Sequence, residues 1–138
     1  MKLTTKSRAV RGSAIAIALL GCAYLAAAQD EASKSRAVFM RQKLELSKAV
    51  LEGLTTDKLD LIDKNAKLLK RASMAAEWEV KGMPNPAQYT AYTAEFQRLC
   101  QDLTKAAQEQ NLDAATLAYV RMTTTCVDCH KFVRSVAK

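Results

Sequence analysis

Four stretches of this chain repeat apolar residues three and four positions apart, and no stretch alternates them two apart. That period lays a stripe along a helix and scatters residues over both faces of a strand. The chain is therefore limited to all-α folds. The first stretch predicts a helix from about Glu31 to Leu54, with Val38, Phe39, Met40, Leu44, Leu46, Val50, Leu51 and Leu54 in a broad stripe and Gly53 as its stop. Thr55 or Thr56 is expected to cap a second helix reaching about Lys81, with Asp57 and Asp60 near its positive end. Its inward residues would be Leu59, Ile62, Ala66, Leu69, Ala76 and Val80, and Gly82 would end it. Met83-Pro84-Asn85-Pro86 is strong turn chemistry. A third helix follows from about Ala87 to Gln110, turning Tyr92, Phe96, Leu99, Cys100, Leu103 and Ala107 inward. Asn111 is expected as a left-handed terminator and Asp113 as the cap of a fourth helix, Ala114 to Ala137. Leu117, Val120, Cys126, Cys129, His130 and Val133 would be its inner face. Helices of similar length with short links predict an antiparallel up-and-down four-helix bundle.

Residues 1–28 read as a signal peptide. Lys2, Lys6, Arg8 and Arg11 form a positive leader, Ala14 to Ala27 an apolar run, and Ala26-Ala27-Ala28 a small-residue cleavage site. The run has 14 residues, short for a bilayer span, so no membrane span is expected. Leu19-Leu20-Gly21-Cys22 leaves open a lipoprotein signal with a lipid on Cys22, although the apolar run continuing past Cys22 favours simple cleavage. Either route places residues 29–138, a single domain, in the periplasm or an equivalent compartment outside the cytoplasm. Composition matters once the leader is set aside. The formal charge of +7 includes its four positives, so 17 basic residues remain against 14 acidic ones. These charges are interspersed, and no basic patch for nucleic acid arises. A domain this small gains much from a cofactor in its core.

Near the C-terminus stands Cys126-Val127-Asp128-Cys129-His130, a C-x-x-C-H spacing. On a helix its two thiols and imidazole lie at i, i+3 and i+4 and project from one face. This is the pattern of covalent haem c attachment, in which two thioethers hold the macrocycle and the histidine coordinates iron. The competing chemistries fit less well. A thioredoxin-like pair should follow a strand in a βαβ unit, and none is written here. A zinc site needs two more ligands, and His130 is the only histidine, with Cys22 and Cys100 the only other thiols. With that histidine committed to iron, no serine–histidine or paired-carboxylate constellation remains, and an enzyme is not expected.

A haem motif on the last helix of an exported four-helix chain resembles the cytochrome c′ family, the class II c-type cytochromes, over about residues 31–138. The resemblance implies one covalent haem held by Cys126 and Cys129, with His130 as the proximal iron ligand. It implies Arg134, at the fourth position after the histidine, beside the proximal face. The family's aromatic at the third position after histidine is displaced here, because Phe132 sits at the second. The family's Arg-x-x-x-apolar pattern on the first helix is matched by Arg36 to Met40, and Arg41 offers another base for the propionates. Met40 and Leu44 are both candidates for the distal pocket, with Phe96 beside them. Members often leave the sixth iron position empty and crowded by an apolar residue, and then admit nitric oxide or carbon monoxide. Low-spin members place a methionine on the iron and carry electrons.

Cys100 departs from the family pattern. Buried on the inner face of the third helix it would pack as a small apolar group. A thiol near the iron would instead give a histidine–cysteine pair, as in small heterodimeric nitric-oxide-binding c-type cytochromes of anammox bacteria, which this chain also resembles in size and layout. Cys100 or Met40 is thus the candidate sixth ligand. A pocket of Met40, Leu44, Phe96, Cys100 and Leu103 lacks a strong hydrogen-bond donor and would hold cyanide or azide only loosely. The expected function is binding of diatomic gases at the haem iron. The alternative is one-electron transfer between redox partner proteins through a six-coordinate haem. Apolar residues on more than one face of the first helix predict a homodimer, or a heterodimer with a similar cytochrome.

Overall fold

Two turns in this chain are closed by the same device, a non-glycine residue in the left-handed region. The computed structural model describes residue 31 and residues 34–75 and 85–136. These residues contain four helices and no strand. Contacts divide the chain into two units, Met1–Arg41 and Gln42–Lys138. Residues 34–55 are helical, and the part from residue 42 onward, α1 below, belongs to the second unit. The others are α2 (Leu59–Ala75), α3 (Pro86–Gln108) and α4 (Leu112–Val136). No helix among the described residues is long and apolar enough to cross a membrane.

Where α1 ends, Asp57 takes φ 51° and the Lys58 amide donates to the Gly53 carbonyl at 2.8 Å. Where α3 ends, Gln110 takes φ 55° and the Asn111 amide donates to the Ala106 carbonyl at 2.9 Å. Both are the wrapped C-terminal hydrogen bond that a left-handed residue makes possible. Several boundaries therefore differ from the sequence expectation. Gly53 does not stop the first helix, and the left-handed role passes to Asp57. Thr55 and Thr56 do not cap α2; their hydroxyls turn back to the Leu51 and Glu52 carbonyls at the end of α1. Asn111 is not the terminator. Its Oδ1 accepts from the Ala114 amide at 2.9 Å, which makes it the cap of α4 and leaves Asp113 within the first turn. Asn85 does the same for α3, accepting from the Gln88 amide, with Pro86 as the first helical residue. The expected course of the second helix from Ala76 to Lys81, with Trp78 and the Gly82-Met83-Pro84 turn, lies outside the described residues.

Gly53 has a different use. It is buried inside α1, where a Cβ would meet Ile62 Cγ1 at 2.7 Å and the Lys58 carbonyl at 3.0 Å. Ile62 is fully buried and the carbonyl is backbone, so neither yields easily. Overpacking of this kind costs about 1–3 kcal/mol. That outweighs the roughly 1 kcal/mol that alanine gains over glycine within a helix. Gly53→Ala should lower stability by about 1 kcal/mol, read as a lower urea midpoint.

One core joins the four helices of the second unit. Val50 comes from α1, Ile62, Ala66 and Leu69 from α2, Phe96, Leu99, Cys100 and Leu103 from α3, and Ala115, Ala118 and Met122 from α4. α3 packs against both α2 and α4. Two side-chain hydrogen bonds fix its register on α2: Gln97 Nε2 donates to Ser73 Oγ at 3.5 Å, and Gln108 Nε2 to Asp63 Oδ1 at 3.1 Å. Ser47 of α1 donates to the Tyr119 hydroxyl of α4 at 3.4 Å. The inner face of α4 is only in part the one expected: Cys126 packs against the core and Cys129 and Val133 are partly buried, but Leu117, Val120 and His130 are exposed. Leu117 and Val120 are 62% and 56% exposed, while Met122 is fully buried. The small side chains of Ala115 and Ala118 are buried in the core, and the larger Leu117 is left at the solvent-exposed edge of the groove between α3 and α4.

Candidate functional site

Following the α4 core face upward from Met122 leads directly to the cysteines. Ala115, Ala118, Met122, Cys126 and Cys129 recur at intervals of three and four, so they share one stripe. The stripe leaves the core as it rises. Met122 is fully buried, Cys126 is partly buried and packs against the core, Cys129 is partly buried, and His130 is exposed. α4 is unbroken through the motif, which holds the three donors at helical register. One turn further on, the Phe132 ring meets the Tyr92 ring of α3 with centroids 5.8 Å apart. Lys131 and Asp128 pair at 3.5 Å on the exposed side.

α3 brings two of the expected residues to this region. Phe96 is buried, and Cys100, one turn along, is fully buried. The Cys100 and Met122 sulfurs approach to 3.9 Å across the α3–α4 interface. Burial pushes the Cys100 thiol up to about 12, against the pull of the Lys43 ammonium, so it stays protonated at neutral pH. Burial also raises Cys126 and Cys129, with Lys43 again the opposing charge.

Lys43 itself was not among the residues expected here. It extends from α1 to place Nζ 3.8 Å from the Phe96 ring centroid. Burial lowers its pKa, and attraction from Cys126, Cys100 and Cys129 works the other way. The signal was available. Lys43 lies three residues before Leu46 and seven before Val50, so it interrupts an apolar stripe with one cation. The surround read from sequence as lacking a strong donor therefore contains one.

Two other expected residues of the second unit, Leu44 and Arg134, are exposed. Leu44 is 50% exposed, because the residue after Lys43 turns about 100° around the helix. Arg134 is exposed near the end of α4. Arg36, Met40 and Arg41 belong to the first unit, where each is exposed.

The donor set fits a covalently attached haem. A macrocycle brings four nitrogen ligands of its own and asks the protein for two anchoring thiols and an axial base. α4 supplies all three in one register, with the thiols free of any disulfide. The His, Cys, Asp and Glu residues among those described form no group of three that could hold a bare metal ion. No protein-family model, curated protein or solved structure matches this chain.

Proposed function

We propose that this chain is an exported monohaem c-type cytochrome of cytochrome c′ type that binds nitric oxide and carbon monoxide at the haem iron. The observation that carries the reading is the placement of Cys126, Cys129 and His130 on one unbroken helix, where the core stripe of α4 reaches its edge. Cys126 and Cys129 anchor the cofactor as thioethers, and His130 donates an imidazole nitrogen as the proximal ligand. Phe96 and Cys100 provide the apolar wall, and Arg134 stands one turn beyond His130, near the proximal face. When bound, the haem supplies an iron that takes a diatomic ligand and changes oxidation state. The helix order is proposed as an antiparallel up-and-down bundle, which the pairings of Gln97 with Ser73 and Gln108 with Asp63 support. As α3 advances, its partner on α2 recedes.

Residues 1–28, outside the described part, act in this reading as the export signal, and the mature chain works in the periplasm as a homodimer or with a similar cytochrome. Leu44 and Leu51, exposed and seven residues apart on α1, support a paired surface. The second reading, a one-electron carrier serving redox partner proteins, draws on the buried Cys100 and Met122 sulfurs, since a soft donor on the iron would keep it six-coordinate. Absorption spectra of the reduced holoprotein separate the two. Shifts with both nitric oxide and carbon monoxide are expected. A six-coordinate spectrum that neither gas alters would sink the gas-binding reading and leave electron transfer.

A further inference from the structure

A lysine on the core side of an apolar helix face needs a reason. Lys43 shares the stripe of Leu46 and Val50, and Val50 is a core residue. Its ammonium lies against the face of the Phe96 ring, where the ring quadrupole favours a cation. Phe96 shares one core cluster with Cys100 and Met122, and Cys126 packs against that cluster. The cation thus sits on the wall residue Phe96, at a cluster to which three helices contribute and against which the anchoring residue Cys126 packs.

We propose that Lys43 sets the ligand class of this site, admitting small monoanions such as azide and cyanide besides neutral diatomics. The proposal rests on the haem reading above. A wholly apolar wall rejects an anion, because the anion loses its water and meets no partner. An opposite charge in the same partly desolvated cluster offsets that loss, and attraction there exceeds its value in bulk water. A neutral diatomic has no net charge for the ammonium to meet, so its binding depends far less on Lys43. The same cation favours the electron-rich ferrous state.

The test uses holoprotein made with a cytochrome c maturation system and checked for one haem per chain. Azide is titrated into the ferric forms of wild type, Lys43→Met and Lys43→Arg, and carbon monoxide into the ferrous forms. The ratio of azide to carbon monoxide affinity should fall about tenfold or more in Lys43→Met and recover in Lys43→Arg. The reduction potential should fall in Lys43→Met and recover with it. If Lys43→Met carries little haem, Lys43→Gln removes the same charge and serves for the comparison. An unchanged ratio, or equal weakening of both ligands, overturns the proposal and leaves the haem reading standing. A wild-type chain without haem overturns both.

Discussion

Replacing Cys126 and Cys129 together with alanine should remove all covalently bound haem from the protein. Each thioether is a bond from a cysteine sulfur to a vinyl carbon, and alanine has no sulfur to form it. The wild type, produced with a cytochrome c maturation system, should show one haem beyond the polypeptide by intact mass after denaturation. The double variant should show the polypeptide alone. Each single variant keeps one sulfur and should retain some haem through denaturation. His130→Ala separates anchoring from coordination, because both sulfurs remain while the axial base is lost. It should keep part of its covalent haem and show an altered spectrum. The exposure of His130 makes this a test of ligation more than of packing, since little of the apolar core is disturbed. A wild type with no haem under these conditions would remove the basis for the functional reading.

The second large effect is on stability, and it distinguishes two faces of the same helix. Met122 is fully buried between α3 and α4, with Cys100 against its sulfur. Truncation to alanine leaves a cavity where the close-packed interior cannot collapse fully, at a cost of about 2–5 kcal/mol. Leu117, five residues earlier and 62% exposed, should cost no more than about 0.5 kcal/mol when truncated. Urea denaturation of the two variants, measured at low protein concentration so that association does not contribute, gives the comparison directly. Equal losses would mean that the apolar pattern of Leu117 and Val120, not the packing of Ala115, Ala118 and Met122, describes the buried face.

That contrast marks the division between what is local in this chain and what is not. Helix formation depends on residues three and four apart along the chain, so the all-helical character and the four helices are legible in the sequence. The motif is local for the same reason: Cys126, Cys129 and His130 lie within five residues, and any helix through them puts them on one side. Helix ends are less local. Gly53 looked like a terminator because glycine tolerates the left-handed region best, yet Asp57 took that role and Gly53 was needed where α1 meets Ile62. Asn111 and Asp113 could each have capped α4, and the wrapped end of α3 placed Asn111 at the position whose side chain meets the first free amides. Burial is decided by the neighbouring helix. Leu117 is more apolar than Ala115, but α3 packs on the side of α4 where small residues stand, and Leu117 is left outside. Lys43 is the clearest case. In the sequence it is one charge in an apolar stripe. Only the approach of α3 puts the Phe96 ring beneath its ammonium, and only α4 brings Met122 and Cys126 to the same cluster, because cation, ring and motif are supplied by three different helices.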